Sequence, residues 1–368
     1  MKHIVFAHRK LSFGGGERVL IEQVAALAPL PVKVSVIYRK DGPRRDIEPE
    51  LRERNPNLGE VLHLPGAWAA GRYLARTRPD LLVLCNHKGV QRALPWIRRI
   101  PTLVTLHEHY ERHLRKYKGI ASRVDRWICT YDFTEAVARH LGPAPCSIIH
   151  PLYPRPEAAQ ATQAERQAAR RALGLPEAGL VIGYAGQIDG RKDPEALLGF
   201  SVSLEARLGG PLQVLMAGRE DAETRARLDT VLAKHPMAAH IHRLGALPDL
   251  GQAFTALDLY VMTSRNEGFF PLALIEALER GVPVLAPTVG GIGTVLKDGE
   301  GGFLIRKPDD RKSIPMPLLA EAAERLAPLL ADPAAWESQR QQAHAFGVGL
   351  TKGYDAQAKF REAVSAWL

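Results

Sequence analysis

Short, almost wholly apolar runs alternate along the chain with longer stretches in which apolar residues recur at helical spacing. In the first half the runs are HIVFAH, VKVSVIY, VLHL, DLLVLCN, TLVTLHE, RWICTY and CSIIH. A polar link rich in Pro and Ala extends from Pro151 to about Glu177. LVIGYAG, LQVLMAG, DLYVMTS, VPVLAP and GGFLI then continue the pattern. Strands apolar on both faces, separated by helices, predict parallel sheets covered on both sides. The expected fold is therefore α/β, with two tandem Rossmann-like doubly wound domains facing across a cleft at the carboxyl ends of their strands. The domains are predicted over residues 1–172 and 173–349, and a closing helix within 350–368 is expected to pack back on the first.

One stretch breaks the apolar pattern. EGFFPLALIEALERGVPVLAP, residues 267–287, predicts a helix over 272–280, with Pro271 suited to its first turn, Gly281 to its stop and Pro283 to prevent continuation. Glu276 is the lone polar side chain from Gly268 to Leu278 and shares a face with Leu272 and Ala273. An unpaired carboxylate costs several kcal/mol to desolvate, so Glu276 needs a partner. Arg280, one turn on, is one candidate, and a ligand with vicinal hydroxyls such as a ribose is the other.

Composition narrows the class. Cys85, Cys129 and Cys146 have no metal-ligand spacing and cannot all pair, which predicts a reducing compartment without a disulfide framework. MKHIVFAHRK lacks a signal-peptide core, and no apolar run approaches the roughly 20 residues needed to cross a bilayer. A cytoplasmic protein is expected. The net charge of +9 is unevenly placed: residues 1–150 hold 25 Lys and Arg against 14 Asp and Glu. That excess predicts an anionic partner for the first half.

HIVFAHRKLSFGGGERVLIEQVAAL places Gly14, Gly15 and Gly16 between a strand and an amphipathic helix, where backbone N–H groups can meet a phosphate. The loop is not a dinucleotide fingerprint. GGGERV lacks the third glycine, and the second strand ends VIYRKDG without an immediate ribose-binding acid, although Arg39 and Lys40 would suit an NADP phosphate. A plain tight turn is the other reading of the glycines.

GGGERV, TLHEHY, RVDRWICTYDFTEAVARHL, GYAGQIDGRKDPEALL, LQVLMAGRE, ALDLYVMTSRNEGFFPLALIEALERGVPVLAPTVGGI and DGEGGFLI occur in this order along almost the whole chain. Together they resemble the retaining GT-B glycosyltransferases of family four, which include bacterial mannosyl- and glucosyltransferases. The resemblance implies an acceptor-binding first domain, a donor-binding second domain for a nucleoside diphosphate sugar (UDP before GDP), and no cofactor or metal requirement. It places Glu276 on the donor ribose, Glu267 on the transferred sugar, and the backbone of Gly268, Phe269 and Phe270 against sugar hydroxyls and diphosphate. Lys192 matches the family lysine at the diphosphate, Gln187 stands where the family arginine usually stands, and Arg191 is a candidate to supply that charge. His107 matches the histidine facing the donor sugar, and Gly15 and Gly16 lie near phosphate or acceptor. Cations at a departing diphosphate stabilise the transition state above the ground state. The catalytic set is thus His107, Lys192 and Glu267, with retention by front-face displacement or a short-lived covalent step.

The chain departs from the family pattern at further places. Glu267 and Glu276 are nine positions apart rather than the usual eight, and Thr294 stands three positions after Gly291 where a glutamate is normal. A non-catalytic nucleotide-sugar-binding subunit and a sugar-nucleotide epimerase on the same fold are alternative readings. Nucleic acid binding is not expected, since no module for it is recognisable.

The segment HEHYERHLRKYKGIASRVDRW interleaves Arg112, Arg115, Lys116, Lys118, Arg123 and Arg126 with Tyr110, Tyr117 and Trp127. Such mixing suits a membrane interface. It predicts peripheral, salt-sensitive contact with the inner face of the cytoplasmic membrane and an anionic or lipid-linked acceptor of cell-envelope glycan assembly.

Overall fold

A computed structural model describes residues 1–12, 14–40, 47–107, 115–152, 159–247, 249–268, 270–309 and 311–368; at 115, 116, 132 and 133 only the backbone is described. The chain forms two compact units, one of residues 1–153 with 354–368 and the other of residues 154–353.

The first unit is built on strands β1 (Lys2–His8), β2 (Val32–Tyr38), β3 (Leu58–His63), β4 (Leu81–Cys85), β5 (Thr102–Leu106), β6 (Arg126–Cys129) and β7 (Cys146–Ile148). All pair in parallel in the order β3-β2-β1-β4-β5-β6-β7. The order reverses between β1 and β4, which opens a crevice at their carboxyl ends. Helices cover both faces, and side chains of one strand feed two cores: Ile4 and Phe6 lie in one cluster, Val5 and Ala7 in the other. Helix Ala356–Val364 completes the first cluster through Phe360, whose ring centroid lies 6.2 Å from that of Phe6.

The second unit holds β8 (Val181–Ala185), β9 (Gln213–Ala217), β10 (Ile241–Gly245), β11 (Leu259–Val261), β12 (Val284–Pro287) and β13 (Gly302–Ile305), parallel in the order β10-β9-β8-β11-β12-β13. Here the reversal falls between β8 and β11. β10 has no counterpart among the apolar runs of the sequence: IHRLG is an edge strand, half-buried throughout, and carries His242 and Arg243.

The division between the units differs from the expected 172/173. Helix Gln163–Ala172 belongs to the second unit, because Arg170 is buried against it. Its guanidinium reaches Asp258 Oδ2 at 2.6 Å and donates to the carbonyls of Ala256, Glu177 and Gly179. A segment that reads as a polar link is thus anchored by one buried ion pair.

Gly218, at φ 139°, shows how tightly the strand ends of the second sheet pack: a Cβ there would lie 1.6 Å from the carbonyl oxygen of Gly186. No side-chain rotation relieves a clash with backbone. Gly218→Ala is expected to destabilise the protein by more than about 2 kcal/mol, read as a lower urea midpoint with an unchanged slope.

Candidate active site

Arg191, Lys192 and Glu267 lie after the two strands of the second unit between which the strand order reverses. After β8, the turn Gln187–Asp193 is held by its own acids. Asp189 Oδ1 accepts from the backbone N–H groups of both Arg191 and Lys192 at 3.0 Å, and the Asp189 carbonyl accepts from Lys192 N–H at 2.9 Å. Asp193 ends the turn in the left-handed conformation (φ 54°) directly before helix Pro194–Leu208. Such a conformation persists only when its surroundings enforce it. Here Thr263, just beyond β11, donates to the carbonyls of Asp193 (2.8 Å) and Lys192 (3.1 Å), while Arg265 Nη2 holds Asp193 Oδ1 at 3.1 Å. β8 and β11 are thereby tied together at the reversal point.

This scaffold brings Lys192 and Arg191 onto Glu267. The Glu267 side chain is buried, Lys192 Nζ donates to its Oε1, and Arg191 Nη1 donates to Oε2 at 3.2 Å. Burial pushes the carboxyl's pKa upward, but the charges of Lys192 and Arg191 outweigh it and hold Glu267 below its ordinary value of 4.5. Burial pulls Lys192 downward, but Glu267 outweighs it and the ammonium titrates above 10.5. Lys192 is nearly buried, whereas Arg191 is partly open to solvent. A charged, ordered cluster therefore stands at one crevice.

Glycines bring the backbone of Glu267 close to its neighbours. Gly290, at φ 58°, would place a Cβ 2.3 Å from the Gly268 carbonyl oxygen and 2.6 Å from that of Glu267, and Gly291 N–H donates to the Gly268 carbonyl at 3.1 Å. Thr294 bonds back to the Gly291 carbonyl through its hydroxyl, 2.8 Å, within the short helix Ile292–Val295. Gln187 is exposed, its amide directed to Asp189 Oδ2 at 3.2 Å. Phe270 is buried, and Phe269 lies outside the described residues. Glu276 is on helix Leu272–Glu279 at the margin of its buried face and remains partly accessible. The Arg280 guanidinium donates to the Glu276 main-chain carbonyl at 2.9 Å and lies over the Phe254 ring.

In the first unit, His107 follows β5 and is partly exposed. Gly15 and Gly16 open helix Gly15–Ala26, and a Cβ at either would meet nothing within 4 Å. Neither packing nor a positive φ requires glycine at these two positions. Sequence reading missed His8 and His87, which end or follow the two strands flanking the reversal point. Both are buried, and burial pulls His87 down to about 4. His8 Nδ1 bonds the Lys10 carbonyl, and His87 Nδ1 accepts from Val90 N–H. The available signal was a polar residue directly after an apolar run.

The aromatic part of the proposed membrane segment requires correction. Tyr117 and Trp127 are fully buried and pack edge to face, with centroids 6.3 Å apart. Trp127 sits in β6 and points into the core, while Arg123 is tied to the carbonyls of Pro95 and Ile97, and Arg126 to Ser147. Lys118 is exposed; Tyr110 and Arg112 lie outside the described residues, as do the side chains of Arg115 and Lys116.

The buried cluster sets a pH dependence. Glu267 is depressed, so its contribution is present above its unfolded pKa and lost as pH falls through the folded value. Lys192 is raised, so its contribution is present below its unfolded pKa and lost as pH rises through the folded value. Lys192→Met is expected to cost roughly 3 kcal/mol near neutral pH, because it leaves a buried carboxylate with one half-exposed partner. The difference from the parent, measured by urea unfolding from pH 3 to 8, should narrow as pH falls, because Glu267 in the variant, left to its burial, takes up its proton at higher pH than the depressed carboxyl of the parent; a pH-independent difference would contradict the assignment.

Residues 165–342 match the family "Glycosyl transferases group 1" and residues 13–153 match "Glycosyltransferase Family 4". The chain is 31% identical to a D-inositol 3-phosphate glycosyltransferase of Rhodococcus opacus, over 87% of this chain and 80% of the relative, and 30% identical to that of Rhodococcus jostii, over 87% and 79%. In fold it resembles the Anabaena protein HepE, solved with UDP-glucose, at a TM-score of 0.77 and 18% identity over the full length of both chains. It also resembles sucrose-phosphate synthase from Thermosynechococcus elongatus, at 0.76 and 21% over 100% and 98%. The chain belongs to the group 1, family 4 glycosyltransferases of the GT-B fold.

Proposed function

We propose that the protein transfers a hexose, with retention, from a UDP-sugar to a hydroxyl of an anionic acceptor. The observation that carries this reading is the buried Glu267 carboxylate joined to Lys192 and Arg191 at the reversal point of the second sheet. Without ligand, Glu267 is the counter-ion that lets two cations stand in a crevice. An entering diphosphate offers those cations a stronger partner, since phosphate oxygens accept several charge-assisted bonds. Glu267 then becomes available to accept bonds from the hydroxyls of the transferred sugar. As the glycosidic bond breaks, charge grows on the diphosphate next to Lys192 and Arg191, where stabilisation lowers the barrier.

Glu276 is assigned to the ribose: a partly accessible carboxylate accepts both hydrogens of a vicinal diol. His107 is assigned to the sugar hydroxyls. The donor base is read as uracil because structural relatives carry UDP or UDP-glucose in their crystals. The acceptor is read as anionic because the excess positive charge lies in residues 1–150 and because relatives are named for inositol 3-phosphate. Gly15 and Gly16, which leave the helix N-terminus open, suit a phosphate on that acceptor.

Two variants separate the roles. Lys192→Ala is expected to slow transfer from UDP-glucose to inositol 3-phosphate by on the order of a hundredfold. Glu267→Gln is expected to bind UDP at least as tightly as the parent, since it removes an anion that competes for Lys192, while transfer falls by a similar factor. UDP affinity by calorimetry and product by mass spectrometry read both. Weaker UDP binding by Glu267→Gln, or transfer unchanged in both variants, would overturn the roles.

A further inference from the structure

The exposed aromatic residues of the first unit do not lie in the segment that the sequence singles out. Trp68 is 75% exposed and Trp96 88% exposed, and both line one groove of about 550 Å³ on the helical face of the first unit. Burying a tryptophan is strongly favourable, so two left in water beside an apolar groove mark a surface that meets something else.

The groove follows from local packing. On helix Ala67–Thr77, Ala70, Gly71, Tyr73 and Leu74 turn inward, which leaves Trp68, Arg72, Ala75 and Arg76 on the outer face. Helix Lys88–Ala93 packs closely against it: a Cβ on Gly71 would lie 3.1 Å from that of Ala93, and one on Gly89 2.9 Å from the Pro65 carbonyl oxygen. The 3₁₀ turn Leu94–Trp96 then carries Trp96 to the rim of the groove, steadied by Arg123 on the Pro95 carbonyl. The floor is alanine, glycine and isoleucine, and the walls are the two indoles with Arg72 and Arg92. The Arg72 guanidinium lies 5.2 Å over the Trp68 ring.

Charge selects the occupant. Residues 61–100, which contain the groove, hold seven Lys and Arg against one acidic residue, Asp80. A second copy docking through this face would bring like charges together across a two-fold axis. An anionic surface gains from the same charges, and a bilayer interface also accepts indole rings at headgroup depth beside arginines that hold lipid phosphates. We propose that the Trp68–Trp96 groove, with Arg72 and Arg92, docks the first unit on the surface of an anionic lipid bilayer. The indoles enter the interface and the arginines engage phosphate, independently of the donor crevice in the second unit.

Flotation of the full chain with vesicles of phosphatidylglycerol and phosphatidylcholine tests this, against vesicles of phosphatidylcholine alone. The parent is expected to float with the anionic vesicles at 50 mM salt and to detach at about 0.5 M, where screening is strong. Trp68→Ala with Trp96→Ala should reduce partitioning about tenfold, and Arg72→Glu with Arg92→Glu by more, with the unfolding temperature and UDP affinity of each kept at the parent's values. Binding by the parent that these variants leave unchanged would overturn the assignment, as would no binding at low salt or equal binding to neutral vesicles. Loss of flotation with UDP affinity retained tells the surface apart from the donor site, whereas loss of UDP binding in the parent bears on the transfer reading alone.

Discussion

A carboxylate cannot be buried beside a parallel sheet unless something neutralises it, and the second unit is organised around meeting that requirement at Glu267. Lys192 and Arg191 come from the turn after β8, while Glu267 comes from the loop after β11. The two strands are neighbours in the sheet though distant in sequence, so the pair exists only once the parallel order has formed. Asp189, Asp193, Thr263 and Arg265 serve that pair: they hold the turn in a conformation a free chain would leave. Desolvation alone would neutralise both members, and their mutual attraction reverses the direction of each pKa.

The same logic explains why glycine recurs at the strand ends. Gly186 and Gly218 allow the chain to turn away from β8 and β9 at close quarters, and Gly290 lets the loop after β12 press on the backbone of Glu267 and Gly268. Backbone held by close contact on several sides stays in place when a charged ligand draws the cations away from the carboxylate. Preorganised charge of this kind is worth more to a reaction than mobile charge of equal size, because it needs no reorientation as the bond breaks.

Much of the fold was legible because parallel strands are apolar on both faces. Twelve of the thirteen strands appear in the sequence as continuous runs. β10 does not, since an edge strand half in solvent has no need of such a run. The link before β8 reads as polar because Arg170 is polar in isolation, and only its meeting with Asp258, nearly ninety residues on beside β11, makes helix Gln163–Ala172 part of the second unit. Tyr117 and Trp127 read as interfacial because spacing among basic residues does not reveal which way a side chain points. The strand period sends Trp127 inward. Within the candidate site, Lys192, Arg191 and Glu267 were each legible as residues, but the turn that holds them was not, since it depends on contacts between β8 and β11.

The proposed function depends on the Glu267 cluster being the seat of the donor diphosphate, with the cations exchanging partners when it binds. A crystal structure of the protein with UDP tests it most directly. Phosphate oxygens are expected within hydrogen-bonding distance of Lys192 Nζ, with the Lys192–Glu267 contact lengthened or broken and the ribose hydroxyls on Glu276. A nucleotide bound elsewhere, or bound with the Lys192–Glu267 pair intact and the diphosphate out of reach of both cations, would contradict it.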